Sequence, residues 1–134
     1  MRAVLIDSNV LLDILTEDPR WLEWSGDALA RCAEDGVIAI NPIIYAEVAV
    51  HFTRIEELDD ALPETTIQRL PLPWEAAFLA GRCFLEYRRR RGVRRSPLPD
   101  FYIGAHAAVT GMTLLTRDAG RYRTYFPKLD LIAP

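Results

Sequence analysis

Four acidic residues stand where an α/β chain would carry chemistry. Asp7 follows the apolar run Ala3 to Ile6, and Asp118 lies just beyond the run Thr113 to Thr116. Both runs have the composition of short strands buried on two faces, so both acids fall at the carboxyl ends of strands. In open α/β sheets ligands gather in the crevice beyond those ends. Asp100 opens an apolar helical pattern after Pro99, and Glu47 lies inside a helix that should start at Asn41-Pro42. Four carboxylates in one small space cannot all ionise without a counter-charge. A hard divalent cation supplies one, and a pocket of oxygen ligands without histidine or cysteine suits magnesium or manganese. Such pockets handle phosphates, where metals polarise phosphoryl oxygens, activate water and neutralise the leaving oxygen.

Each acid also has a structural reading. Asp7 or Asn9 can cap the helix that follows, since Asp, Ser and Asn are preferred at that position. Asp100 in a first turn is favoured by the exposed N–H groups and the helix dipole. Glu47 lies on a largely apolar edge with Ile43, Ile44 and Val50, where an uncompensated charge is costly. A contact to His51 one turn on, or a longer reach to Arg54, is the alternative to a metal site.

The elements that would position these residues alternate between strand and helix. Ala3 to Ile6 leads through Asp7-Ser8-Asn9 into a helix containing Val10, Leu11 and Ile14. Pro19 to Asp35 has helical spacing and ends at Gly36; Val37 to Ile40 is a second strand; the helix from Pro42 runs to about Arg54. Ile55 to Ala61 reads as a short acidic helix, and Thr66 to Leu70 as an edge or half-buried strand closed by prolines. Trp74 to Arg91 is the longest helix, ending at Gly92. The helix opened by Asp100 carries Phe101, Ile103, Gly104, Ala107, Ala108 and Gly111, small enough for close packing on a sheet. Tyr122 to Pro127 forms an aromatic connection before a last short strand at Leu129, Leu131 and Ile132. This alternation implies a three-layer α/β/α sandwich around a central, mainly parallel twisted sheet.

The chain has 134 residues, the size of one ordinary domain, so residues 1–134 are expected to form a single unit. No apolar run approaches the length of a membrane span, and Asp7 interrupts the N-terminal run before it can act as a secretory signal. A cytoplasmic protein is expected. Cys32 and Cys83 lie in helical segments without metal spacing, as buried free thiols would. A net charge of -3 argues against adhesion to nucleic acid over the whole surface. The charge is uneven, however. Arg88, Arg89, Arg90, Arg91, Arg94 and Arg95 crowd the loop before Asp100, and could hold a phosphate backbone or complement a helix end.

Taken in order, Val4-Leu5-Ile6-Asp7-Ser8-Asn9-Val10-Leu11-Leu12-Asp13, the Asn41-Pro42 start leading to Glu47, Pro99-Asp100-Phe101-Tyr102-Ile103-Gly104-Ala105-His106-Ala107 and Leu114-Leu115-Thr116-Arg117-Asp118 resemble PIN-domain ribonucleases, especially VapC-type toxins of toxin-antitoxin pairs. The resemblance spans nearly the whole chain. It implies that Asp7, Glu47, Asp100 and Asp118 are the family's acidic quartet holding one or two Mg2+ or Mn2+ ions, with Asp118 acting through water. Ser8 matches a position more often threonine, and Asn9 and Thr116 match polar positions that orient the site. The implied activity is cleavage of single-stranded or loop RNA by metal-activated water, leaving a 5'-phosphate. A homodimer and a cognate antitoxin are implied as partners, with the antitoxin tail in a groove near the acids. Trp21, Trp24 and Leu29 either line that groove or pack in the core. Gly120 replaces a commoner bulky residue.

Three other readings share these features. A non-catalytic module would keep the fold, use the acids as caps and bind nucleic acid or protein through the arginine loop. A phosphatase with an aspartyl nucleophile would need a second aspartate two positions after Asp7, where Asn9 stands, and a lysine at a strand end; the single lysine is Lys128. A PIN nuclease of RNA processing differs from a toxin mainly in its target.

Overall fold

The computed structural model describes residues 3–134; Met1 and Arg2 of the opening stretch lie outside the described residues. Its elements are β1 (Ala3–Ile6), α1 (Ser8–Leu15), α2 (Leu22–Asp35), β2 (Val37–Ile40), α3 (Pro42–Ala49), α4 (Ile55–Ala61), β3 (Ile67–Arg69), α5 (Trp74–Arg89), α6 (Pro99–Thr110), β4 (Thr113–Leu115), α7 (Gly120–Tyr125) and β5 (Leu131–Ile132). The strands form one sheet in the order β3-β2-β1-β4-β5, and every pairing is parallel. This is the expected α/β architecture. The order reverses beside β1, which lies between β2 and β4, so the crevice of a parallel sheet opens at the end of β1, where Asp7 stands.

The central strands are apolar because helices cover them. Leu5, Ile6, Ile40, Leu114 and Leu115 are essentially inaccessible, and Ile44, Val48, Phe101 and Ile103 pack from the helices into the same core. Cys32 and Cys83 are buried free thiols whose pKa values burial pushes up. Among the described residues no helix is long and apolar enough to cross a membrane.

Two helix ends differ from the sequence pattern. The helix from Pro42 stops at Ala49 instead of near Arg54, because its last turn tightens: His51 N–H donates to the Val48 carbonyl and Phe52 N–H to that of Ala49. The helix expected to end on Gly92 ends earlier, and the left-handed residue beyond it is Arg91, at φ 67°. Gly92 serves contact instead, since a β-carbon there would overlap the Tyr87 ring. Two smaller differences follow the same logic. The second long helix begins at Leu22, after an Asp18 carboxylate that accepts from the N–H groups of Arg20 and Trp21, and the aromatic connection after Asp118 contains α7. Gly111, by contrast, sits beyond α6 at φ 71°, the left-handed cap that favours glycine.

The acid-bearing helices are tied together below the crevice. Asn41 caps α3, its Oδ1 accepting from Ile44 N–H at 2.9 Å, and its Nδ2 donates to His106 Nδ1 at 3.0 Å. Burial holds the His106 pKa down, so the ring accepts as the neutral form. This bond couples the helix of Glu47 to the helix of Asp100. α6 in turn lies tight on the C-terminal segment through Gly104, where a β-carbon would overlap the Phe126 ring. Gly104→Ala is therefore expected to lower stability by about 1–3 kcal/mol, because the buried Phe126 must shift. Urea denaturation checks this, and an unchanged midpoint would show that the ring has room.

Candidate metal centre at the strand ends

Asp7 is buried, with only 3% of its surface exposed, and its two oxygens do different work. Oδ1 accepts from Ser8 N–H at 2.8 Å and so caps α1. Oδ2 accepts from Tyr122 OH at 2.8 Å and Thr116 Oγ1 at 2.9 Å, with Asn9 Nδ2 at 3.4 Å. The capping and site readings of Asp7 are thus compatible in one side chain. Burial is the main cause pushing its pKa up to about 6; the Tyr122 and Thr116 hydrogen bonds oppose the rise, and the charges of Asp100 and Glu47 add to it.

Asp100, in the first turn of α6, meets the same tyrosine. Its Oδ1 lies 3.3 Å from Tyr122 OH, and its Oδ2 pairs with Arg121 at 3.3 Å at the rim. Glu47 is half-buried and accepts from Ser8 Oγ at 2.8 Å, which takes up one of its oxygens without an ion pair to His51 or Arg54. Arg54 instead pairs with Glu56 at 3.5 Å. Burial raises the Glu47 pKa, Ser8 lowers it, and Asp100 raises it again. Asp118 is exposed and lines, with Asp100, Tyr87, Arg121, Thr124 and Tyr125, a polar cleft of about 370 Å³. The sheet end thus gathers Asp7, Asp100 and Glu47 closely enough for mutual repulsion, with Asp118 further out on the wall shared with Asp100.

Asn9 and Thr116 fasten β4 to α1. Asn9 Oδ1 accepts from Arg117 N–H at 3.0 Å and its Nδ2 donates to Thr116 Oγ1 at 3.2 Å; that oxygen also accepts from Asp118 N–H at 3.1 Å. Thr116 can therefore turn its own proton only toward Asp7 or the Asp118 carbonyl at 3.3 Å. Arg117 points the other way, making paired bonds of 2.8 and 3.0 Å to Asp13, which also accepts from Ser25 Oγ at 2.7 Å. The Trp21 ring carries the guanidinium of Arg117 at 5.4 Å and that of Arg20 at 5.2 Å, while Trp24 and Leu29 pack partly buried against the core.

The arginines are exposed, but only part of the cluster reaches the cleft. Arg90 pairs with Glu86 at 3.0 Å and lies 5.4 Å from the centre of the Tyr125 ring, a wall of the cleft. Arg88 donates to the Arg94 carbonyl at 2.7 Å, fixing the loop, and Arg89, Arg91 and Arg95 extend into solvent.

Among the described residues no group of three or more His, Cys, Asp or Glu side chains is drawn together as a finished metal site. The side chains nevertheless suit a hard cation: they offer carboxylate oxygens, the pKa values of Asp7 and Glu47 are both raised by burial and by Asp100, and the innermost charge, on Asp7, is balanced by hydroxyl and amide donors instead of a cationic side chain. The sequence places Tyr122 in the aromatic connection and assigns neither it nor Arg121 a role at the site.

Two measurements follow. A carboxyl whose pKa rises on folding makes the folded state bind more protons between its unfolded value near 3.9 and its folded value near 6. Stability therefore falls as pH rises through that window, and the penalty is fully present above it. In chelator, Asp7→Asn is expected to be more stable than the parent by roughly 2–3 kcal/mol at pH 7.5 and nearly equal at pH 4; urea denaturation at both values checks it, and a less stable variant at pH 7.5 would show that the donors outweigh burial. Arg117→Met strands the buried Asp13 carboxylate and is expected to lose about 2–3 kcal/mol, less than for a fully buried pair because Arg117 is partly exposed. The same denaturation assay reads it, and a loss within error would mean that Ser25 and solvent suffice.

No curated protein matches the sequence. The fold is similar to solved structures of VapBC2 from Rickettsia felis bound to a promoter DNA fragment (TM-score 0.74, 18% identity, 98% of each chain), and of VapBC-1 from nontypeable Haemophilus influenzae (TM-score 0.72, 15% identity, 98% of this chain and 97% of that one). A third, VapBC-5 of Mycobacterium tuberculosis, described as a member of the VapBC family of toxin-antitoxin systems, has a TM-score of 0.57 at 16% identity over 99% of this chain and 98% of that one. The PIN domain family model matches residues 4–127, from β1 through all four acids to the turn after α7, and the chain belongs to the PIN-domain family.

Proposed function

We propose that this PIN-domain protein is a metal-dependent endoribonuclease, the toxin of a toxin-antitoxin pair. The observation that carries this reading is the meeting of Asp7 and Asp100 at one hydroxyl at the end of the central strands, with Glu47 beside them and Asp118 on the same cleft. Asp7, Glu47, Asp100 and Asp118 would hold Mg2+ or Mn2+, which when bound supplies charge neutralisation at the scissile phosphate and an activated water.

The remaining work falls to the chain. Ser8 keeps one Glu47 oxygen in place, and Thr116, steadied by Asn9, fixes the orientation of Asp7. The cleft beside Asp100 and Asp118 admits a phosphate backbone, and Arg90 on its rim, with Arg88, Arg89, Arg91, Arg94 and Arg95 on the approach, would contact phosphates without reading sequence. Hydrolysis by water leaves a 5'-phosphate and requires no 2'-hydroxyl nucleophile. The VapBC likenesses support a cognate antitoxin as partner, and a cytoplasmic homodimer is part of the same proposal.

A second reading, a binding module whose acids are structural, draws on the Asp7 cap and the Arg121–Asp100 pair. Cleavage of a panel of structured RNAs with magnesium, manganese or chelator separates the two. The nuclease is expected to cut only with metal, leave 5'-phosphate ends, and lose at least about 100-fold in rate in Asp7→Asn and Asp100→Asn. Binding of RNA without cleavage under every condition, unchanged in the variants, would establish the module.

A further inference from the structure

Tyr122 places its hydroxyl between two of the carboxylates that would hold a cation. Its hydroxyl lies 2.8 Å from Asp7 Oδ2 and 3.3 Å from Asp100 Oδ1, and the side chain is 1% exposed. A phenol has one proton, so it donates to Asp7 at the shorter distance and cannot donate to Asp100 at the same moment. Asp100 keeps Arg121 for its other oxygen. Asp7 Oδ2 has two lone-pair directions, and the two short donors, Thr116 and Tyr122, take them.

The two donors are held differently. Thr116 Oγ1 is anchored by Asn9 Nδ2 and Asp118 N–H. The Tyr122 hydroxyl is held by the two carboxylates, and its helix, α7, is only six residues long. Among the described residues Asp7 Oδ1 accepts only from Ser8 N–H, so a cation would compete with Tyr122 only on the side of Oδ2, where Tyr122 is the less anchored of the two short donors.

We propose that the Tyr122 hydroxyl is a placeholder: it closes the Asp7–Asp100 pair in the metal-free protein and competes with the divalent cation for Asp7, so it lowers cation affinity. Tyr122 is thus a positioning residue that acts on the metal-free state. The inference rests on the metal-dependent reading above. A purely structural tyrosine predicts the opposite sign, because loosening the pocket would weaken binding.

The test is calorimetric titration of Mg2+ and of Mn2+ into the full chain, its Tyr122→Phe variant and its Asp7→Asn variant at pH 7.5, with melting curves in chelator and in excess metal. Tyr122→Phe is expected to melt lower in chelator, to bind Mn2+ about 3–10-fold tighter, and to gain more from metal than the parent. Equal or weaker binding by Tyr122→Phe, with the parent binding normally, overturns the placeholder and leaves the metal centre standing. If the parent binds neither cation, the metal-dependent reading falls and the placeholder falls with it. Should the variant not fold, ultraviolet difference spectra of the parent decide: added metal is expected to perturb tyrosine absorbance in the parent and not in Asp7→Asn, and a flat spectrum in a parent that binds metal overturns the proposal.

Discussion

The structure depends on a carboxylate that is out of water and next to other carboxylates. Burying Asp7 at the end of β1 disfavours its charge, and the presence of Asp100 and Glu47 compounds the effect. The surroundings answer with hydrogen-bond donors from three separate parts of the chain: the first turn of α1, the end of β4, and α7. Each donor needs its own support. Thr116 needs Asn9, and the helices of the other acids need support as well: α6 has Gly104 against Phe126, and α3 has Asn41 against His106. The order of the sheet follows the same requirement, since β1 must lie between β2 and β4 for α1, α3 and α6 to reach one point.

Much of this was legible in the sequence, for identifiable reasons. β1, β2 and α4 carry their bounds in the sequence: Asp7 and Asn41 stop the two apolar runs, and Pro63 breaks the acidic helix. The parallel sheet followed from strand-helix alternation. Helix ends were less legible where the terminating event was a contact. Gly92 looked like a left-handed cap, yet the Tyr87 ring claimed it for close approach and left Arg91 to take the positive φ. α3 stopped early through short-range hydrogen bonds that no residue type announces.

At the site, residue type and position located the acids, but partners had to come from the fold. Glu47 was read as lying on an apolar edge in need of a partner, and the partner proved to be Ser8, thirty-nine positions away, instead of a neighbour on its own helix. Tyr122 was read as part of an aromatic connection, since nothing local distinguishes a tyrosine that packs from one whose hydroxyl ends between two carboxylates. The Asp13–Arg117 pair is similar: its members are far apart in sequence, and alternation along the end of β4 turns Arg117 from the cleft while Thr116 faces it.

The double duty of Asp7 has a genetic consequence. Asparagine caps helices as well as aspartate does, and it lacks the charge that burial opposes. A single-base change in the Asp7 codon therefore offers a route to a chain that keeps its fold while losing the innermost carboxylate of the site. On the toxin reading proposed above, that is the shortest path by which an inert copy arises, folded like its active sibling and so a competitor for the same partner.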